Sequence, residues 1–245
     1  MGDSGDSAYR RILLKLSGEA LMGDEPYGIS NAVLDFVTGE IKPAVEAGVE
    51  IALVIGAGNI FRGVSGVSKG MQRTTADNMG MLATVINCLA LHDALEKKGI
   101  PARVLSAISM PDVCESYSRQ KADHHLRKNR VVIFAAGTGN PLFTTDTAAV
   151  LRALEINADI IFKATRVDGV YDRDPLADPT AVRYDLLTYA EALQKRLRVM
   201  DSTAFSLAQD NRIAIKVFNM NVPGNIARAV NGEAIGTLIR GKDDE

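Results

Sequence analysis

Apolar residues recur along this chain in two spacings. Runs that are apolar at successive positions, 11–16 (RILLKL), 50–55 (EIALVI), 102–108 (ARVLSAI), 130–136 (RVVIFAA), 159–164 (DIIFKA), 213–218 (IAIKVF) and 236–240 (GTLIR), predict strands, several of them covered on both faces. Between them, longer amphipathic stretches near 31–48, 74–98, 115–128, 144–157, 200–210 and 224–231 predict helices. Strand–helix alternation of this kind gives an α/β fold with a mainly parallel sheet and helices on both faces. No low-complexity linker or internal repeat divides the chain.

Two positions depart from the pattern. Lys15 interrupts the first strand, and a buried ammonium is costly unless it meets an anion. The helix from Asn78 to Leu95 is apolar nearly all round, with Met79, Met81, Leu82, Val85, Ile86, Cys88, Leu89, Leu91 and Leu95, so it is buried on more than one side. Burial within one subunit and burial between subunits account for it equally well.

Open α/β sheets bind ligands beyond the carboxyl ends of their strands. The glycine-rich and polar stretches here all follow strands: KLSGEA (15–20), GAGNIFRG (56–63), GTGNPLFTTD (137–146) and KATRVDGVYDRDP (163–175). In the second, Gly56 and Gly58 let backbone amides approach an anion, and Arg62 offers a planar donor fork. A dinucleotide fingerprint is not expected, because the third glycine is missing and Asp77 does not follow a strand. In the third, Thr144, Thr145, Asp146 and Thr147 suit the start of a helix, as caps or as partners of a phosphate. In the fourth, Asp168-Gly169 and Asp174-Pro175 are turns, and Tyr171 between them is able to pack against an adenine ring. Lys15, Arg62 and Lys163 then form a cation set for a polyphosphate without a Walker loop, since the lysine precedes its glycine and arrives on the strand. Phosphoryl transfer asks for such cations and for little covalent chemistry from the protein.

Composition narrows the reading further. The chain has 245 residues with 28 basic and 30 acidic side chains, a net charge of −2 with both signs interspersed. That balance lacks the basic excess of a nucleic-acid binder. Cys88 and Cys114 form no CxxC pair and read as buried, reduced thiols. The adjacent His124 and His125 make a poor metal pair, and no zinc site is expected. The N-terminus carries no apolar signal region, Asp6 breaks the myristoylation pattern, and no run is long enough to span a membrane. A cytoplasmic protein is expected.

With the loops laid out in the order ILLKLSGEAL, VIGAGNIFRG, DNMGMLATVIN, AGTGNPLFTTD, KATRVDGVYDRDP and VFNMN, the chain closely resembles the bacterial uridylate (UMP) kinases of the amino acid kinase superfamily from about residue 10 to residue 240. Relatives that phosphorylate carboxylates or carbamate share the lysine strand and the glycine loop but not the GTGNPLFTTD block.

The resemblance implies a single-domain three-layer sandwich over residues 10–241, with an acceptor half at about 10–155, an ATP half at about 156–241, and a flexible segment at 1–9. It implies direct in-line transfer from ATP to UMP, with Mg²⁺ held mainly by the nucleotide. Carried over by position, Lys15, Leu16, Ser17, Gly18, Gly58, Arg62 and Lys163 hold the ATP phosphates and the transferring group, while Thr165, Tyr171 and Asp174 line the adenosine pocket. Gly56, Ala57, Asp77 and the run Thr138, Gly139, Asn140, Pro141, Leu142, Phe143, Thr144 and Thr145 surround UMP. Lys15, Arg62 and Asp146 are the catalytic set, Asp146 orienting the cations. The resemblance also implies a homohexamer, with helix 78–95 at an interface, and regulation by GTP as activator through Arg103 and Arg130 and by UTP as inhibitor. Two positions depart from the family. Ala57 replaces a usual glycine, so its φ is expected to be negative, and His92 and Arg119 replace a usual arginine and a usual aromatic residue near the GTP residues. Residues 65–76 and 168–180, rich in glycine, turns and charge, are expected to be the mobile parts.

Overall fold

The computed structural model describes residues 7–61, 70–197 and 199–241. The strands are β1 (Arg11–Leu16), β2 (Glu50–Ile55), β3 (Ala102–Ser106), β4 (Glu115–Ser116), β5 (Val131–Ala135), β6 (Ile160–Thr165), β7 (Val170–Tyr171), β8 (Arg183–Tyr184), β9 (Leu186–Thr188), β10 (Ala214–Asn219) and β11 (Thr237–Arg240). The helices are α1 (Asn31–Glu46), α2 (Arg73–Lys97), α3 (Arg119–Leu126), α4 (Thr145–Glu155), α5 (Tyr189–Gln194), α6 (Ser202–Asp210) and α7 (Asn225–Val230), and a 3₁₀ turn spans Gly18–Met22.

Nine strands form one sheet in the order β4-β3-β5-β2-β1-β6-β10-β11-β9, with β1 at its centre. Every pairing in it is parallel except β10 with β11. β7 and β8 form a separate antiparallel ribbon. The alternation of side chains along β1 divides the core in two. Ile12, Leu14 and Leu16 point toward α1, α2 and α7, whereas Leu13 packs in the cluster built from α3, α4, α5 and α6. Lys15 shares the face of Leu13, and its register partner on β6 is Lys163. Two lysines side by side on neighbouring strands repel, and the α4 side of the sheet has to supply what offsets this.

The predicted strands and helices all form, with differences at their ends. The helix expected over 115–128 starts only at Arg119, because Glu115–Ser116 pairs with β3 as an edge strand and the Ser118 hydroxyl caps α3 by accepting from Lys121 N at 3.3 Å. β3 stops at Ser106, whose hydroxyl donates to Ile108 O at 2.6 Å and turns the chain away. Of the segment expected to be mobile at 65–76, residues 65–69 lie outside the described residues, and Arg73–Ala76 form the first turn of α2. The 168–180 loop is braced by the β7–β8 ribbon and by Arg173, which pairs with Asp172 and Asp178. Cys88 is buried, but Cys114 is only half-buried, since its segment lies at the sheet edge. Ala8 N donates to Val230 O, and the Tyr9 ring meets Phe162 edge-on. Among the described residues no helix is long and apolar enough to cross a membrane.

Along α2 the inner face is core, with Met81, Val85, Cys88, Leu91 and Leu95 buried. Met79, Leu82 and Ile86 stand out on the opposite side, 39%, 50% and 51% exposed. At spacings of three and four they form one apolar stripe.

Candidate active site

At the carboxyl end of β1 the chain turns at Ser17 into the 3₁₀ turn that starts at Gly18. Gly18 lies against the loop after β2. A Cβ on it would come 2.4 Å from Gly56 O and 2.7 Å from Asn59 Oδ1, so no other residue fits without moving backbone. Gly56 N in turn donates to Leu16 O at 3.0 Å. Ala57 keeps a negative φ, as its methyl group requires.

Thr144 caps α4, its hydroxyl accepting from Asp146 N at 3.1 Å and Thr147 N at 3.3 Å. The cap sets Asp146 in the first turn, pointing at the sheet. Its Oδ1 lies 2.7 Å from Lys15 Nζ, as an ion pair lacking hydrogen-bond geometry, and its Oδ2 accepts from Lys163 Nζ at 2.8 Å. Lys163 also donates to Val199 O. All three side chains are largely buried, 10%, 15% and 14% exposed for Lys15, Asp146 and Lys163. Burial alone would raise the carboxyl pKa of Asp146, but Lys15 and Lys163 more than offset it and hold the group below its ordinary value. Burial lowers the pKa of the Lys163 ammonium, against the pull of Asp146. Two ammonium groups share one carboxylate at the meeting point of β1, β6 and α4, and Asp201 acts on Lys163 from farther off. Such a cluster is matched to a multiply charged anion.

A cavity of about 480 Å³ opens on Asp146 and Lys163 toward α5 and α6, and two more lie near the cluster. One, of about 220 Å³, lies between the β2 loop, α2 and the 137–145 loop, and is lined by Ala57, Asp77, Thr138, Asn140, Phe143, Thr144 and Thr145. Asp77 bridges its two walls, taking both carboxylate contacts of Arg73 Nε and accepting from Leu142 N at 2.8 Å. Positive φ at Ala136, Gly137, Gly139 and Leu142 curls the loop around the space. Gly56, Gly139, Pro141 and Leu142 stand beside this cavity without lining it. The other cavity, of about 510 Å³, lies over β6 and the β7–β8 ribbon, and its walls include Lys163, Thr165, Tyr171, Asp174, Arg196 and Val199. The Tyr171 hydroxyl donates to Asp168, which Arg183 also pairs at 2.8 Å. Lys163 belongs both to this cavity and to the cation cluster, and so joins the two.

The fold thus brings together Lys15, Leu16, Ser17, Gly18, Gly56, Ala57, Gly58, Asp146 and Lys163. Arg62 lies outside the described residues. Arg103 and Arg130 sit at the amino ends of β3 and β5, at the opposite end of the sheet. Arg103 reaches Glu96 at 3.4 Å and Arg130 reaches His125 Nδ1 at 3.2 Å. Among the described residues no three histidine, cysteine or acidic side chains cluster as metal ligands.

The model of the amino acid kinase family matches residues 10–219. The chain belongs to that family. Within it, the uridylate kinase of Xanthomonas oryzae pv. oryzae is 57% identical over 235 residues, covering 96% of this chain and 98% of that protein. The uridylate kinase of Xanthomonas campestris pv. campestris is likewise 57% identical over 235 residues. Among solved structures, UMP kinase from Bacillus anthracis superposes with a TM-score of 0.92 at 40% identity, covering 97% of each chain. UMP kinase from Ureaplasma parvum gives 0.89 at 37% identity, over 94% of this chain and 98% of that one.

Two residues that brace the elements of this site, Asp201 and Arg152, were not legible in the sequence. Asp201 accepts from Thr144 Oγ1, lies 3.2 Å from Thr147 Oγ1, and caps α6 through Ala204 N at 2.9 Å, fastening the start of α4 to α6. Arg152 stacks over the Tyr117 ring, pairs with Glu155 at 2.6 Å and donates to Gly137 O at 3.3 Å. An aspartate before a helix and an arginine within one are ordinary sequence features. Only their partners, distant in sequence, mark them.

Proposed function

We propose that this chain is a UMP kinase that transfers the γ-phosphoryl group of ATP directly to UMP, giving UDP and ADP in pyrimidine nucleotide biosynthesis. The observation that carries the proposal is the Lys15–Asp146–Lys163 cluster standing between two cavities, within a chain 57% identical to uridylate kinases. UMP occupies the cleft between Asp77 and the 138–145 loop, with its phosphate toward Gly56 and Ala57. ATP enters from the acceptor-distal half, its adenosine against Thr165, Tyr171 and Asp174, and its phosphates over Lys15, Leu16, Ser17, Gly18, Gly58 and Lys163. A phosphate oxygen of UMP attacks the γ-phosphorus in line as the bond to ADP breaks, and no phospho-enzyme forms. Lys15 and Lys163 offset charge on the migrating group, and Asp146 holds both ammonium groups in place before the substrates arrive. Mg²⁺ would be held mainly by the nucleotide and would help offset its phosphate charge, with Asp146 the carboxylate that would orient it.

In this reading residues 10–155 are the acceptor half and 156–241 the ATP half of one domain, acting in the cytoplasm. The Met79–Leu82–Ile86 stripe packs against a second copy of the chain in a homohexamer, and GTP and UTP act as activator and inhibitor, GTP through Arg103 and Arg130. The test is ADP release from ATP and Mg²⁺ with UMP, CMP, dUMP and glutamate as separate acceptors, with and without GTP. Turnover on UMP is expected. Turnover on glutamate alone would mean that the 138–145 loop is not a nucleotide pocket.

A further inference from the structure

Beside the glycine loop, two asparagines, Asn59 and Asn87, form a closed amide pair that the catalytic residues do not explain. Asn59 Nδ2 donates to Asn87 Oδ1 at 2.9 Å, and Asn87 Nδ2 donates back to Asn59 Oδ1 at 2.8 Å. The second hydrogen of each amide goes to backbone, Asn87 to Gly56 O at 2.7 Å and Asn59 to Gly28 O at 2.8 Å. Gly28 N completes the link by donating to Asn59 O at 2.9 Å. The two side chains are 0% and 2% exposed for Asn87 and Asn59. Both backbone partners are carbonyls, which only accept, so the amide nitrogens must face them. In a dry site each of these bonds counts, because a missing partner leaves a buried polar group bare.

The consequence falls on one peptide group. The Gly56–Ala57 peptide is trans, and a trans peptide carries its C=O and N–H in opposite directions. Asn87 fixes the Gly56 carbonyl toward its own buried amide, so the Ala57 N–H is held on the side of the loop opposite that amide. That N–H has no partner among the described residues, and Ala57 lines the smaller cavity. Gly56, with no side chain to limit it, would otherwise be free to rotate this peptide.

We infer that Asn87 is a positioning residue for phosphoryl transfer: it locks the Gly56–Ala57 peptide so that the Ala57 amide stays aimed at the phosphate, while Asn59 serves chiefly to satisfy and orient Asn87. This rests on the kinase reading above. It assigns the loop's competence to α2, a helix that carries the exposed apolar stripe on its other side.

The two asparagines separate in their expected effects. Asn87→Asp keeps shape and the bond accepted from Asn59 but turns a carboxylate oxygen toward Gly56 O. Asn59→Asp keeps the acceptor for Asn87 and leaves the Asn87–Gly56 bond intact. In the full-length protein, far below the melting temperature, Asn87→Asp is expected to lower kcat for UMP at least 10-fold, with KM for ATP changed less than 3-fold. Asn59→Asp is expected to lose comparable melting temperature and to keep kcat within about 3-fold of wild type. Equal kcat losses in the two variants, tracking their losses of stability, would overturn the inference, as would unchanged kcat in Asn87→Asp. Should Asn87→Asp not fold, Asn87→Ser, which removes the donors without adding charge, is measured in its place. Failure of both to fold would mean that the pair holds the fold rather than the loop, and would overturn the inference too. Wild-type protein in the same assay keeps the outcomes distinct, since absence of UMP turnover there counts against the kinase reading itself.

Discussion

Asp146 lies between Lys15 and Lys163, 2.7 Å from one ammonium and 2.8 Å from the other, with both lysines aligned on adjacent central strands. Without the carboxylate, two cations would face each other in a largely buried place. With it, both ammonium groups are paired and held where substrate phosphates are able to meet them. The lysines are therefore set in position before any nucleotide binds.

Lys15→Ala is expected to fold, because Asp146 retains Lys163 as its partner. Its kcat for UMP is expected to drop by roughly 10²–10³, as removal of one charge-stabilising donor typically costs. Steady-state kinetics beside a circular-dichroism melt checks both halves. A folded variant with normal turnover would take Lys15 out of the mechanism.

The Asp146 carboxyl gives stability a pH dependence. Its pKa in the folded protein is below the unfolded value of 3.8. Between the two values the unfolded chain binds the proton and the folded protein does not, so the stabilisation is complete above that range and is lost as pH falls through the folded pKa. Asp146→Asn, which removes the carboxylate that both lysines contact, is expected to cost about 3–5 kcal/mol near neutrality. Urea unfolding at steps from about pH 6 down to about pH 2 should show that gap narrowing below about pH 4. A gap that stays constant would assign the acid transition to other groups.

Gly18 and Gly39 make a contrasting pair. Gly18→Ala places a methyl group 2.4 Å from Gly56 O, a backbone atom, and is expected to cost about 1–3 kcal/mol and most of the activity. Gly39→Ala, within α1, meets only Lys98 Nζ at 3.5 Å and is expected to stabilise by about 0.5–1 kcal/mol with turnover unchanged. Denaturant midpoints and kcat measured on both would decide it. Equal effects would show that the approach of Gly18 to the β2 loop is not tight.

The stripe on α2 is open to test by charge. Leu82→Glu with Ile86→Glu leaves the buried face of the helix untouched, so the subunit fold is expected to survive. Sedimentation velocity is expected to show a smaller species than wild type. A mass equal to that of wild type would place the assembly surface elsewhere.

The fold was legible because burial on both faces writes long apolar strands, and the seven predicted ones form the sheet from β1 to β11. The elements that escaped, β4, β7, β8, β9 and α5, have two to six residues each. Segments that short carry too little periodicity to stand out from loop sequence. The site was legible where a residue type conflicts with its surroundings, as Lys15 does within RILLKL, or where glycines and hydroxyls crowd after a strand. Asn59 and Asn87 gave no such signal, since an asparagine beside a glycine reads as a turn and one within an apolar helix as an isolated polar residue.

By itself the sequence determined the alternation of strands and helices, the rim on which the polar loops gather, and the residue types available there, because each depends on local spacing and on what burial costs each side chain. Tertiary structure alone decided which charges meet. The pairing of β1 with β6 set Lys15 beside Lys163, the cap at Thr144 turned Asp146 onto both, and the closed amide pair fixed the Gly56 peptide. Asp146 lies 131 residues along the chain from Lys15 and 17 from Lys163, and Asn87 lies 31 from Gly56; the energies of these contacts depend on distance and burial in space, which only the folded chain supplies.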